Sequence, residues 1–107
     1  MTISIIIANW NTKELIEGCI NSIITSTPAG ELSYEIIIID NASTDGSREY
    51  LRSVKDKITL IENDTNIGYA KACNQGMKVA KGKYILLLGS DTIMRSGTLK
   101  ACVDFLD

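Results

Sequence analysis

Four short apolar runs set what this chain can fold into. Ile3 to Ala8 is β-branched and broken only by Ser4, and Glu35 to Ile39, Ile58 to Ile61 and Tyr84 to Leu88 repeat the signature. Near-continuous apolar runs of this length belong to strands covered on both faces, as in parallel sheets. Between the runs the period lengthens to three-to-four. Leu15, Ile16, Cys19, Ile20, Ile23 and Ile24 share one helical face, Asn11 and Glu14 stand as a capping box before them, and Pro28 with Gly30 closes the helix. A short second helix is expected from near Asp45, capped by Ser43, Thr44 or Asp45, with Tyr50, Leu51 and Val54 inward. A third spans Tyr69 to Lys81 with Ala70, Cys73, Met77 and Ala80 inward, Lys78 and Lys81 at its cation-favouring end, and Gly82 as its stop. A fourth starts near Ser96 and aligns Leu99, Cys102, Val103 and Leu106. Strand and helix alternate four times, which predicts an α/β fold: a doubly wound, mainly parallel sheet with helices on both faces and right-handed crossovers. A chain of 107 residues has room for one modest core, so residues 1–107 read as one unit.

Open α/β sheets bind ligands beyond the carboxyl ends of their strands. The segments there are Asn9-Trp10-Asn11, Asp40 to Asp45, Asn63 to Gly68 and Gly89 to Thr92, all polar and rich in short side chains. None carries GxGxxG or GxxxxGK[ST], which disfavours dinucleotide enzymes and P-loop NTPases. The sequence has no histidine, so Ser-His and Cys-His nucleophile pairs and His-ligated metals are excluded, and carboxylates must carry any acid-base or metal chemistry. Lys and Arg number 11 against 13 Asp and Glu, for a net charge of -2, and the basic residues form no stripe; no nucleic-acid partner is expected.

Asp and Asn side chains suit hydrogen bonding to a base and ribose and coordination of a hard divalent cation. Asp40 and Asp91 would lie on one edge of the sheet and could face one ligand together. Each also has a plainer reading as a helix cap or Asx turn, and spacing leaves both open. Asp45 reads as a cap. Trp10 either stacks on a ring or covers the edge of the core. Cys19, Cys73 and Cys102 are widely spaced, odd in number and on helical stripes, so they read as buried small hydrophobes in a reducing, cytoplasmic setting. The apolar runs are too short to span a bilayer, and no basic leader precedes the first.

Four segments, in this order, resemble the successive signatures of family 2 glycosyltransferases of the GT-A fold. They are Ile5 to Asn11, Glu35 to Ser47, Asn66 to Gly76 and Tyr84 to Thr92. Trp-Asn in the first loop and Asn-Ala-Ser-Thr-Asp in the second are most similar to the rhamnosyltransferase-type members. The resemblance implies that residues 1–107 are the truncated, N-terminal nucleotide-sugar-binding half of such a domain. Its function would be inverting transfer from a UDP- or dTDP-sugar to the hydroxyl of a carbohydrate or lipid-linked acceptor. It implies a first wall from Ala8, Asn9 and Asn11 with Trp10 beside it, base contacts from Asp40 and Asn41, a covering loop shaped by Asn66 and Gly68, and Lys71 near the nucleotide. Asn41 stands where an aspartate is often found, so the choice of base is open. Ser90 and Asp91 match the end of a DxD-like motif whose first carboxylate is Gly89 here, leaving Asp91 as the one metal ligand for Mg2+ or Mn2+.

The same resemblance puts the catalytic base beyond Asp107 and places the full protein in the cytoplasm, peripheral to the inner membrane. An apolar edge at Tyr84 to Leu88 suggests a homodimer. Two other functions compete: a sugar-nucleotide nucleotidyltransferase, which would ordinarily carry a Gly-rich first loop, and a noncatalytic interaction module that keeps the fold.

Overall fold

A computed structural model describes all 107 residues. The elements run β1 (Ile3–Asn9), α1 (Lys13–Ser26), β2 (Tyr34–Asn41), α2 (Ser47–Ser53), β3 (Thr59–Asn63), α3 (Tyr69–Val79), β4 (Tyr84–Leu87) and α4 (Thr98–Leu106). The four strands form one parallel sheet in the order β3-β2-β1-β4. The α/β, parallel-sheet expectation therefore holds. The chain builds outward from β1 through β2 to β3, then α3 carries it back to the other side of β1. That reversal puts α3 on the face opposite the other helices, as right-handed crossovers require.

Strand alternation sorts the isoleucines. Ile3, Ile5, Ile7, Ile36 and Ile38 point to the side of α1, α2 and α4, where they meet Ile16, Cys19, Ile20, Ile23, Leu51, Leu99 and Val103. Ile6, Ile37 and Ile39 point to the other side and meet Ala72 of α3. Both faces of β1 and β2 are thereby buried, which explains their unbroken apolar text.

Several details depart from the sequence expectations. Leu15 is exposed, because the inward stripe of α1 is Ile16, Cys19, Ile20 and Ile23. The Asn11–Glu14 capping box is absent; Asn11 adopts a left-handed φ of 51° and its Oδ1 accepts the Thr44 N–H at 2.7 Å instead. α3 presents Ala72, Cys73 and Gly76 inward, whereas Ala70 and Met77 face solvent. The cause is close approach: a Cβ on Gly76 would lie 2.7 Å from Ile6 Cγ2 and 3.0 Å from Ile39 Cδ1, so the helix docks on its small residues. α4 begins at Thr98 and buries only Leu99 and Val103, leaving Cys102 and Leu106 exposed at the margin of the sheet. β3 starts one residue later than expected and runs on through Glu62 and Asn63, paired with Asp40 and Asn41.

β4 forms one edge of the sheet. Leu86 packs toward α4, but Ile85 and Leu87 on the opposite face are 45% and 44% exposed, since α3 covers β1 and β2 and does not reach them. Phe105 is 90% exposed and, with Leu86, Cys102 and Leu106, lines an apolar groove on the α4 side.

Gly76→Val is expected to destabilise the fold by about 1 to 3 kcal/mol through overpacking against Ile6 and Ile39. Chemical denaturation checks this, and an unchanged midpoint would show that α3 can retreat from the sheet at no cost.

Candidate functional site

The strand order reverses beside β1, and the site is built where it does. At the carboxyl end of β1, Asn9 is 1% exposed and pairs in register with Asp40 at the end of β2. Asn9 Nδ2 donates to Asp40 Oδ1 at 2.9 Å and to Ser43 Oγ at 3.2 Å, while its Oδ1 accepts from Thr12 Oγ1 at 2.6 Å. Asp40 Oδ2 accepts the Ser43 N–H and Arg48 Nε, each at 3.0 Å. The Asp40 side chain is 0% exposed. Burial would raise its pKa, and the hydrogen bonds from Ser43, Asn9 and Arg48 outweigh that effect and hold the carboxyl below the ordinary aspartate range. The plainer reading of Asp40 thus describes this structure: its oxygens serve internal donors and present no surface to a ligand. Ala42, between Asp40 and Ser43, has a φ of 63°, a conformation that costs about 1 to 2 kcal/mol for a residue with a Cβ and is held by these bonds.

Asp45 is a cap, and it serves two helices. Its Oδ2 accepts the Lys13 N–H at the start of α1 at 2.9 Å, and its Oδ1 accepts the Ser47 N–H at the start of α2 at 3.0 Å. This side chain ties the loop after β1 to the loop after β2, alongside the bond from the Thr44 N–H to Asn11 Oδ1.

Above the Asn9–Asp40 pair, Ala8, Asn9, Trp10, Asn41, Asn66 and Gly68 line one depression of about 240 Å³ together with Tyr69. Six of the expected site residues are thus brought together. Trp10 and Tyr69 are 55% and 57% exposed, two aromatic rings open to solvent at the same depression. Tyr69 was not among the sequence candidates; its signal is an aromatic residue directly after Gly68 at a helix start. Asn41 lines the depression while its Nδ2 donates to Gly68 O at 3.3 Å. Asn11 and Lys71 lie outside it. Asn11 lines an adjoining depression with Lys13, Glu14 and Asp45, and Lys71 is exposed on α3.

Ser90 and Asp91 follow β4 on the other side of β1. Ser90 Oγ donates to Thr12 Oγ1 at 3.1 Å, the Thr12 proton being given to Asn9, and this contact joins the two loops across the switch point. Asp91 is exposed, and its charge together with burial raises the Cys19 thiol to about 11, with burial the larger cause. Cys19 is therefore an inert core thiol beneath this loop. Cys73 is also buried, but the exposed Cys102 corrects the expectation of three core cysteines. No three or more Cys, Asp or Glu side chains converge as a metal cage. The donor set at the loop is one carboxylate with hydroxyls beside it, which fits a hard ion that brings most of its oxygens from a diphosphate and water.

A larger open groove of about 620 Å³ lies along β3, but its Arg52 and Glu62 are bound to each other at 2.6 and 2.9 Å.

Residues 4–107 match the model for glycosyl transferase family 2, and the chain belongs to that family. It is 38% identical over 98% of its length to a poly(ribitol-phosphate) beta-glucosyltransferase of Bacillus spizizenii, covering 17% of that protein. It is 35% identical over 98% of its length to WfaP of Escherichia coli, a UDP-Glc:alpha-D-GlcNAc-diphosphoundecaprenol beta-1,3-glucosyltransferase, covering 41% of it. The crystal structure of Staphylococcus aureus TarS residues 1–349 with UDP-GlcNAc superposes with a TM-score of 0.86 at 27% identity, over 100% of this chain and 31% of that one. The chain thus spans well under half of the curated relatives it matches. Their names specify glucosyl transfer and that of TarS N-acetylglucosaminyl transfer, so the narrower rhamnosyltransferase likeness gives way to the family as a whole.

Because the folded-state pKa of Asp40 lies below its unfolded value, its contribution to stability is complete above the ordinary aspartate range. It is lost as the pH falls through the depressed folded value. Asp40→Asn is expected to flatten this acid-side loss and to cost about 2 kcal/mol at neutral pH, less than a fully buried pair because Arg48 is 25% exposed. Urea titrations from pH 7 downward test both; an acid limb identical in the two proteins would remove Asp40 from this role.

Proposed function

We propose that residues 1–107 form the N-terminal nucleotide-sugar-binding half of a GT-A glycosyltransferase domain, which holds a UDP- or dTDP-sugar for inverting transfer to an acceptor hydroxyl. The observation that carries this reading is the depression shared by Ala8, Asn9, Trp10, Asn41, Asn66, Gly68 and Tyr69 at the strand-order reversal. Likeness to TarS, whose structure includes UDP-GlcNAc, supports the choice of uracil, and the Mn2+ and GDP-Man in the structure of the mannosyltransferase PcManGT of Pyrobaculum calidifontis support a metal in the fold.

In this reading Trp10 and Tyr69 stack on the planar base or a sugar ring. Asn41 keeps one amide N–H and one carbonyl lone pair for the base edge, and Asn66 with Gly68 forms the loop over the ribose. The buried Asp40 and Asn9 hold that wall in place. Asn11 borders the first loop, and Lys71 supplies charge toward the diphosphate. Ser90 and Asp91 would hold Mg2+ or Mn2+. When bound, the ion supplies Lewis-acid neutralisation of the leaving nucleoside diphosphate. No carboxylate of the site is assigned as the base that takes the acceptor proton; it would come from polypeptide beyond this half, and residues 1–107 alone are expected to transfer no sugar.

The acceptor would be a carbohydrate or lipid-linked glycan, in keeping with the diphosphoundecaprenol named for WfaP. Such work belongs at the cytoplasmic side of the inner membrane as a peripheral protein. No helix is long and apolar enough to cross a membrane.

Calorimetric titration of UDP, dTDP and GDP with and without Mn2+ tests the donor site. UDP is expected to bind most tightly, with metal enhancement, and Asp91→Ala to abolish the enhancement and weaken UDP about tenfold, the share of one charge-assisted contact. Absence of binding by all three nucleotides would sink the proposal. The exposed Ile85 and Leu87 on the β4 edge favour the expected homodimer as a second feature. Sedimentation should then show concentration-dependent dimerisation that Leu87→Lys removes, and a monomer at every concentration would exclude it.

A further inference from the structure

A chain of three side-chain amides runs behind the nucleotide depression. Asn63, at the end of β3, and Gln75, two turns into α3, form a reciprocal pair: Asn63 Nδ2 donates to Gln75 Oε1 and Gln75 Nε2 donates to Asn63 Oδ1, each at 2.9 Å. Asn63 Nδ2 also donates to Asn41 Oδ1 at 3.0 Å, and Asn41 Nδ2 donates to the carbonyl of Gly68 at 3.3 Å. The direction of the chain is fixed at its far end. A backbone carbonyl can only accept, so Asn41 must turn its Nδ2 to Gly68 and its Oδ1 to Asn63. Asn63 must then donate toward Asn41, and with its Oδ1 facing Gln75 Nε2 the last amide is set as well. Asn63 is held from the other side too, because Arg48 donates to its backbone carbonyl.

The anchored carbonyl matters to the site. Gly68 has a φ of 87°, closes the loop over the depression, and accepts the Ala72 N–H at 3.2 Å as the first turn of α3. Tyr69 follows it directly. α3 is thus hooked to the strand ends at two points about two turns apart on one face, Gly68 through Asn41 and Gln75 through Asn63. An aspartate at position 41 could not make the first of these bonds, since it would set a carboxylate oxygen against the Gly68 carbonyl. The asparagine here, where the resemblance leads one to expect a second acid, is accounted for by the carbonyl it holds.

From this geometry we infer that Gln75 and Asn63 are positioning residues for the donor site: they fix which polar atoms Asn41 turns to the base and where the Gly68–Tyr69 corner stands. The inference rests on the depression being the nucleotide site. Neither residue lines that depression, so an effect of Gln75 on nucleotide binding has to travel through the amide chain.

The test compares the wild-type chain with Gln75→Met, which removes both amide functions, and Gln75→Glu, which keeps the shape and an acceptor but loses the donor. Lys78→Ala, on the exposed face of α3, is the control. Two readouts are taken: the Kd for UDP by calorimetry, and the hydrogen-exchange rate of the Ala72 amide against sheet amides of β1 and β2. Gln75→Met is expected to raise the Kd about tenfold and to speed Ala72 exchange about tenfold, as loss of a part-buried hydrogen-bonded pair does, with the sheet amides unmoved. Gln75→Glu should behave like Gln75→Met at neutral pH. As the pH is lowered and the carboxyl is protonated, it regains an O–H donor for Asn63 Oδ1 and its Kd should fall toward wild type relative to Gln75→Met at the same pH. Arg48 and Glu62, the charged groups beside Asn63, are common to all the proteins and cancel in that ratio. Wild-type Kd and exchange in Gln75→Met, or no recovery of Gln75→Glu on acidification, would overturn the inference. If the wild-type chain binds no UDP, the reading of the site fails; unchanged Ala72 exchange would then overturn the amide chain too, whereas faster exchange would leave it as a hook for α3 with no donor to position.

Discussion

The buried carboxylate of Asp40 is the interaction on which the site's architecture depends. An ionised group with no exposed side-chain surface must be met by donors from every side, and Asn9, Ser43 and Arg48 supply them. Those donors come from β1, the β2–α2 loop and α2. Satisfying one charge therefore fixes the relative placement of three segments. The left-handed turn at Ala42 belongs to the same arrangement, because the loop has to curl back for Ser43 to reach Asp40. The apolar core holds the sheet together; the polar cluster gives its upper edge a shape.

Much of this was legible in the sequence. The unbroken isoleucine runs named the central strands, because only strands buried on both faces tolerate such text. The polar segments after each run pointed to the strand ends, and six of the residues they suggested meet in one depression. The plainer readings of Asp40 and Asp45 as structural groups describe the geometry better than ligand contacts do. What the sequence did not show depends on long-range contact. The inward face of α3 followed Gly76 and Ala72 in place of the larger Ala70–Met77 stripe, since close packing on Ile6 favours the absence of a side chain, which periodicity cannot score. Cys102 and Leu106 continue the stripe of α4 past the point where there is sheet to cover, so a correct period gave an incorrect burial.

The polar residues that were missed share one property: each does its work on a partner distant in sequence. Arg48 meets Asp40 and Asn63, and Gln75 meets Asn63 across twelve positions. Nothing local marks an arginine or glutamine on an exposed-looking helical turn as the partner of a distant strand-end amide or carboxylate. Tyr69 differs, in that its place right after the glycine of a loop at a strand end was a usable sign.

The reversal of strand order also divides the site in time. The Asn9–Asp40–Ser43 cluster closes once the chain has extended to Arg48, through neighbouring segments joined by one crossover. The Ser90–Asp91 loop can meet Thr12 only after α3 has carried the chain back past β2 and β1, a contact spanning 78 positions. Contacts of such separation form late, because loop-closure entropy must be met before they contribute. As the protein emerges from the ribosome, the wall that would receive a base is therefore assembled first, and the carboxylate that would face a diphosphate joins it last.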